Sequence, residues 1–276
     1  MTNPLSAYFR QPSLYIQLPS GGNYWPEGSI QIPVTGELAV LSMTAADEIL
    51  LKTPDALFNG EATVNLIQNC VPAIQDAWQT PMLDLETILI AIRIASVSES
   101  LSIETQCPKC SETSDFDLDL KQLLQDVDAN IWQRPLKVGA LTFTFRPISF
   151  YTQTQYNNQL FQYRKRYQQL DQIADTDQKS SLTSEIINSI NNLEIQYMID
   201  SIQSISVSGQ SVTEPEHISE FMINCEKQIY SQVQRHTDAL KATLRKSNLE
   251  LHCSECSHKY VTDFSMEYSS FFDLSS

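Results

Sequence analysis

Two C-x-x-C pairs, Cys107/Cys110 and Cys253/Cys256, constrain this chain more than any other feature. Each sits between segments of alternating polarity, "LSIETQ-CPKC-SETSDFDLDL" and "NLELH-CSEC-SHKYVTDFSM". That alternation predicts a strand on either side of a tight knuckle. A knuckle turns both thiolates into one pocket. Two facing knuckles supply the four sulfurs that Zn²⁺ takes tetrahedrally, as in a zinc ribbon. The spacing departs from a compact ribbon: 142 residues, 111–252, separate Cys110 from Cys253, against roughly 15–20 in that module. The chain must therefore leave the first knuckle, build something substantial and return.

A redox C-x-x-C sits ahead of a helix, whose dipole lowers a thiol pKa, whereas both pairs here lie between strands. A lapsed site or two separate thiol pairs would leave the same pattern. His252 and His258 flank the second pair and are possible substitute ligands. With four cysteines at hand, both are read as surface side chains. Cys70 and Cys225 fall on apolar helical faces and are read as core. A zinc site of four cysteines has no open position for water or substrate, so its expected role is structural, and it adds a formal −2 of charge.

Charge narrows the function classes. Lys plus Arg number 18 against 33 Asp plus Glu, a formal net charge of −15. Phosphate binding needs clustered positive charge, so no nucleic-acid partner is expected. The N-terminal residues lack a basic region followed by an apolar one. The longest apolar run, Ile88–Ser96, contains Arg93 and is too short to span a bilayer. The expected setting is intracellular with no membrane partner, where thiols stay reduced.

The chain reads as α+β: an N-terminal domain of mixed helices and strands, a split zinc-ribbon-like strand module, and a long inserted helical bundle or arm. The domain reading is 1–150 with the first knuckle, 151–246 as the arm, and 247–276 as strands completing the zinc module. Leu14, Ile16 and Leu18, then Ile30, Ile32 and Val34, predict two strands joined by a Gly-Gly turn. Thr44 and Asp47 mark a helix start, Pro54 a second helix that ends at Gly60, and "EATVNLIQNCV" a third. "DLETILIAIRIAS" is apolar nearly all round and predicts a buried helix. "ALTFTFRP" alternates as a strand. In the arm, Tyr156, Leu160, Tyr163, Tyr167 and Leu170 form a heptad seam, repeated by Ile186, Ile190, Leu193 and Tyr197. "SVSGQSVTEP" reads as a break. Thr213, Pro215 and Glu216 read as a capping box opening a third long helix.

No P-loop, dinucleotide, metalloprotease or nucleophile-elbow motif is present, and with four His and seven Gly the chain reads as a non-enzyme. Asp115, Asp117 and Asp119 share one strand face but lack EF-hand spacing. They are read as solvated, as are Arg164–Arg166 and the group Lys241, Arg245 and Lys246.

Three segments, "FRQPSLYIQLPSGGNYWPEG", "PVTGELAVLSMTAADEILLKTPDALFNGEATVNLIQNCVP" and "ETILIAIRIAS", resemble the baseplate hub subunit family of T-even-type contractile-tailed phages. The resemblance covers roughly residues 8–120, ending in the C-x-x-C. It implies a tail-morphogenesis protein, either hub subunit or assembly chaperone, without catalytic residues. Its partners would be other baseplate hub proteins, with oligomerisation inside an assembly. Its location would be the host cytoplasm during assembly and then the tail baseplate. Thr44, Asp47, Pro54, Asp55, Ala56, Leu57 and Gly60 carry over as its interaction or core signature. The runner-up is a zinc-ribbon regulator binding nucleic acid or a polymerase, which needs a basic strip on the hairpins. A thiol-redox enzyme ranks third.

Overall fold

The structure, a computed structural model of the chain, describes residues 5, 8–125, 129–170, 175–244, 249–262 and 271–272, apart from the side chains of Asp55, Gln125 and Ala129. The chain is α+β. It forms two compact units: Met1–Asp128 with Thr243–Ser276, and Ala129–Ala242.

The first unit is built on the buried helix α4 (Met82–Ser96). Two strands, β1 (Pro12–Gln17) and β2 (Glu37–Leu41), pair antiparallel, with Leu14 opposite Val40 and Ile16 opposite Leu38. The buried side chains of Ile16, Leu38 and Val40 belong to the ribbon that packs on α4. The expected strand at Ile30–Val34 does not form. Pro33 cannot donate to a ladder. Its carbonyl instead accepts from Gly36 N at 2.8 Å, closing a turn that exposes Val34. The ladder starts only after Gly36, and Ile30 makes a single bridge to Ile74.

Three short helices follow, α1 (Ala45–Leu51), α2 (Pro54–Phe58) and α3 (Glu61–Cys70). Thr44 opens α1 with a full capping box. Its hydroxyl accepts from Asp47 N at 3.3 Å, and its own N–H donates to Asp47 Oδ2 at 2.7 Å. Asp47 is buried and also accepts from Asn69 Nδ2 at 2.8 Å, which ties α1 to α3. Gly60 opens α3 at φ 85, a left-handed conformation that favours glycine.

Two charged groups sit inside α4, each where the helix dipole favours it. Asp84, in the first turn, accepts from Ser20 N at 2.8 Å, Ser20 Oγ at 2.6 Å and Trp25 Nε1 at 2.7 Å. This fastens the Gly-Gly segment to the helix. Arg93, in the last turn, donates to the Phe271 carbonyl and lies 5.3 Å from the centroid of the Phe271 ring. No helix among the described residues is long and apolar enough to cross a membrane.

The second unit contains a four-stranded antiparallel sheet in the order β5 (Leu136–Val138), β6 (Leu141–Phe145), β7 (Ile202–Val207), β8 (Gln210–Val212). The first unit also holds α5 (Leu120–Gln125); the helices of the second are α6 (Phe150–Gln169), α7 (Thr176–Asp200), α8 (Pro215–Asn224) and α9 (Lys227–Ala242). The position read as a boundary, 150/151, falls at the start of α6, inside this unit. The segment read as a break is the β7–β8 hairpin. Ser208 at φ 50 and Gly209 at φ 82 supply the paired positive φ of a two-residue turn.

The expected capping box at Thr213 and Glu216 is absent. Pro215 keeps the preceding residue out of the α region, so Glu214, at φ −68 and ψ 120, is the cap, and its side chain makes no capping bond. The third long helix is likewise two, α8 and α9, separated at Cys225, whose backbone is extended. Arg245, Lys246 and the segment "DFSM" lie outside the described residues.

Candidate metal centre

Both C-x-x-C pairs form knuckles at the tips of separate two-stranded ribbons, β3 (Ser100–Gln106) with β4 (Thr113–Asp119) and β9 (Leu249–His252) with β10 (Lys259–Thr262). The two tips have the same backbone. In the first, Cys107 N donates to Glu112 O at 2.8 Å and Ser111 N to Cys107 O at 2.9 Å; in the second, Cys253 N donates to His258 O at 3.0 Å and Ser257 N to Cys253 O at 3.0 Å. Ser111 and Ser257 occupy the same place in each knuckle and share a positive φ, 61 and 55. One local sequence pattern thus builds one shape twice, 146 residues apart by the offset from Cys107 to Cys253.

The knuckles meet crosswise. Cys107 Sγ lies 3.7 Å from Cys256 Sγ, and Cys110 Sγ lies 3.5 Å from Cys253 Sγ. All four sulfurs fall within 4.8 Å of one another. A tetrahedron with M–S bonds of about 2.3 Å has S···S edges of about 3.8 Å, so this donor set has the size of a metal-binding tetrahedron. A disulfide needs a separation near 2.05 Å, and all four thiols are free. Cys107 and Cys253 are buried, Cys256 is half-buried and Cys110 is exposed.

The thiols sit close enough to compete for charge. Burial pushes Cys107 up, but the Cys110 and Lys109 amides and the Cys110 and Cys256 thiols outweigh it and bring Cys107 down to about 7. Cys110 is stabilised as thiolate by the Glu112 amide. Burial and the neighbouring Cys256, Cys253 and Cys107 groups outweigh that and push it up to about 12. The thiols thus share hydrogen bonds that favour one thiolate at Cys107 and a protonated Cys110; bringing all four to thiolate would set like charges together, a conflict a divalent cation would remove. The backbone donors acting on Cys107 are knuckle amides, not a helix terminus.

Around the sulfurs the ribbons touch through side chains that sequence reasoning missed. Thr105 Oγ1 and the Tyr260 hydroxyl are 2.7 Å apart, and Ser114 Oγ and Ser254 Oγ 3.3 Å apart. Phe116 meets the Tyr260 ring edge-on at 6.5 Å. The signal that could have found them was alternation: Thr105, Ser114 and Phe116 share the inward parity of their strands. Neither His252 nor His258 joins the four-sulfur cluster.

The remaining expected groups are not brought to this cluster. Asp115, Asp117 and Asp119 line the exposed face of β4, and Glu250 is exposed on β9. These ribbons thus present acid rather than a basic strip. Cys70 is fully buried, and burial with the nearby Asp47 pushes its thiol up to about 12. Cys225 is half-buried, and burial raises it as well. Of the sequence signature, Thr44 and Asp47 form a helix cap, Ala56 is buried, and Gly60 supplies a left-handed turn.

Fold and site together define an α+β protein with a ribbon-like clasp of four cysteines. The chain belongs to the family described as T4 bacteriophage base plate protein, whose model matches residues 17–273. The match runs through the helical region 151–246 as well as the N-terminal segments. No curated protein matches the chain, and no solved structure does.

Proposed function

We propose that this baseplate protein is a non-enzymatic component of the tail hub, either a hub subunit or a chaperone of hub assembly. It works through contacts with other hub proteins, in the host cytoplasm during assembly and then in the tail baseplate. Cys107, Cys110, Cys253 and Cys256 hold one structural zinc. The observation that carries the tail reading is the family match over residues 17–273. The zinc reading rests on four free thiols within 4.8 Å of one another, a soft donor set that selects zinc over the hard cations.

With four protein ligands the ion has no vacant position, so it activates no water and polarises no substrate. The residues themselves do the work: the knuckle amides orient the sulfurs, and the two ribbon tips are held together. Such a site supports surface recognition by fixing the fold that presents the surface.

The test is affinity capture of the tagged protein from phage-infected cells, together with a search for it on purified virions. Capture of hub proteins with presence on particles identifies a subunit. Capture of hub proteins with absence from particles identifies a chaperone. If neither particles nor captured hub proteins are found, the hub reading is wrong. Elemental analysis of purified protein decides the metal: about one zinc per chain is expected, and none removes zinc from the account.

A further inference from the structure

The four sulfurs of the clasp are ordered by ribbon as well as by distance. The contacts at 3.5 Å, Cys110 with Cys253, and at 3.7 Å, Cys107 with Cys256, both run from one ribbon to the other. Each couples a buried sulfur to a more accessible one: Cys253 to the exposed Cys110, and Cys107 to the half-buried Cys256. The accessible member is in both cases the second cysteine of its C-x-x-C.

The ribbons are also held directly behind these tips. Thr105 Oγ1 meets the Tyr260 hydroxyl at 2.7 Å, and Ser114 Oγ meets Ser254 Oγ at 3.3 Å. Thr105 lies two residues before Cys107, and Ser254 directly follows Cys253. These contacts involve no thiol, so the opposed sulfurs stay neighbours while one of them is being oxidised. A disulfide closes at about 2.05 Å, so each crosswise pair must shorten by roughly 1.5 Å. Rotation about the two Cα–Cβ bonds is the motion available for that closure.

We infer that the clasp is redox-convertible: a peroxide joins Cys110 to Cys253 and Cys107 to Cys256 as disulfides, so the ribbons stay joined when the metal leaves. At each pair the accessible sulfur attacks one peroxide oxygen. The O–O bond breaks, a sulfenic acid forms and one water leaves. The buried partner then attacks the oxidised sulfur. The S–O bond breaks, the S–S bond forms and a second water leaves. Each pair gives two electrons to one peroxide. For the zinc-loaded clasp, four thiolates, two peroxides and four protons become two disulfides, one released Zn²⁺ and four waters.

Disulfides within each C-x-x-C would have the opposite effect, since they would leave no bond between the ribbons. Release of the ion rests on the zinc reading above, whereas the pairing rests on the sulfur positions alone. The consequence is a junction held by metal in a reducing medium and by disulfides in an oxidising one.

Peptide mapping of the full-length protein tests this. Purified protein is assayed for zinc, treated with hydrogen peroxide, blocked with N-ethylmaleimide and denatured in acid. Trypsin cuts after Lys109, between Cys107 and Cys110, and a glutamate-specific protease cuts after Glu255, between Cys253 and Cys256. Every cysteine of the clasp therefore ends on its own peptide, and mass spectrometry reads the linkage. Free thiols are expected to fall from six to two, Cys70 and Cys225, with release of about one zinc per chain. The linked peptides are expected to be Cys107 with Cys256 and Cys110 with Cys253. The 249–262 hairpin of undenatured, oxidised protein is expected to resist limited proteolysis as the untreated hairpin does. Linkage within each C-x-x-C, thiols that pass to sulfinic acid unlinked, or a hairpin digested despite crosswise links each overturns the proposal. Crosswise links in protein that carries no zinc would uphold the pairing and sink the zinc reading. Zinc release with links inside each C-x-x-C would do the reverse.

Discussion

Thr105 Oγ1 and the Tyr260 hydroxyl lie 2.7 Å apart across 155 residues of chain. The ribbons that carry them belong to separate sheets and share no ladder. Among the described residues this bond, the Ser114–Ser254 contact and the Phe116–Tyr260 ring contact join the ribbons alongside the four sulfurs. Tyr260→Phe removes one hydrogen bond and keeps the ring. It is expected to cost about 1 kcal/mol, read as a shifted urea midpoint, with metal content unchanged. Tyr260→Ala also removes the edge contact and is expected to cost more and to weaken metal retention. Equal midpoints for Phe, Ala and wild type would show that the side chain does not join the ribbons.

Asp84 gives a pH dependence of defined sign. Burial raises its pKa above the ordinary carboxylate value, against the opposing hydrogen bonds from Ser20 and Trp25. Between the unfolded and folded pKa values the native state binds more protons than the unfolded one, so stability falls as pH rises through that window. Its contribution is fully present below the unfolded pKa and lost above the folded one. Asp84→Asn does not titrate, and it puts an NH₂ among three donors. It is expected to lose about 1–3 kcal/mol at neutral pH. The gap to wild type should widen on acidification below neutrality, measured by paired denaturant melts across pH. A gap that narrows would show that the three hydrogen bonds, not burial, set the pKa.

Much of the first unit was legible because its signals are local. The apolar run of α4, the Thr44 cap and both knuckles depend on neighbouring residues, and each forms where the sequence places it. The meeting of the two knuckles was legible in outline, since a chain that returns can bring four thiols within 4.8 Å of one another; their crosswise pairing was not. What escaped depended on context. Ile30, Ile32 and Val34 alternate like a strand, but a Pro33–Gly36 turn takes the backbone bonds a ladder needs. Pro215 displaced the expected cap because its ring restricts residue 214, a constraint that outranks the Thr213 hydroxyl.

The resemblance segment contains Thr44 and Asp47, and their bonds assign both to stability. Thr44→Ala removes a cap and is expected to cost about 1 kcal/mol. Asp47→Ala also strands Asn69 Nδ2, which it accepts from at 2.8 Å, and is expected to cost roughly 2–3 kcal/mol. Thermal melts give the order wild type, Thr44→Ala, Asp47→Ala. If both variants melt as wild type yet lose captured partners, these residues belong to an interface instead.

Thiol reactivity separates the clasp from the core. If Cys107, Cys110, Cys253 and Cys256 hold one metal ion, as proposed, its bonds protect them, and a chelator is expected to open all four to a thiol reagent at neutral pH. Acid should act in the same direction, since protons compete with metal for thiolates. Cys70 should stay silent until the chain unfolds, being fully buried with its thiol pushed up to about 12. The ribbons share no ladder, so chelation should also expose the 249–262 hairpin to limited proteolysis while α4 remains protected. Cys253→Ser should reproduce that digestion pattern without chelator, and Cys70→Ser should not. Unchanged labelling and digestion after chelation would mean that metal does not hold the ribbons together.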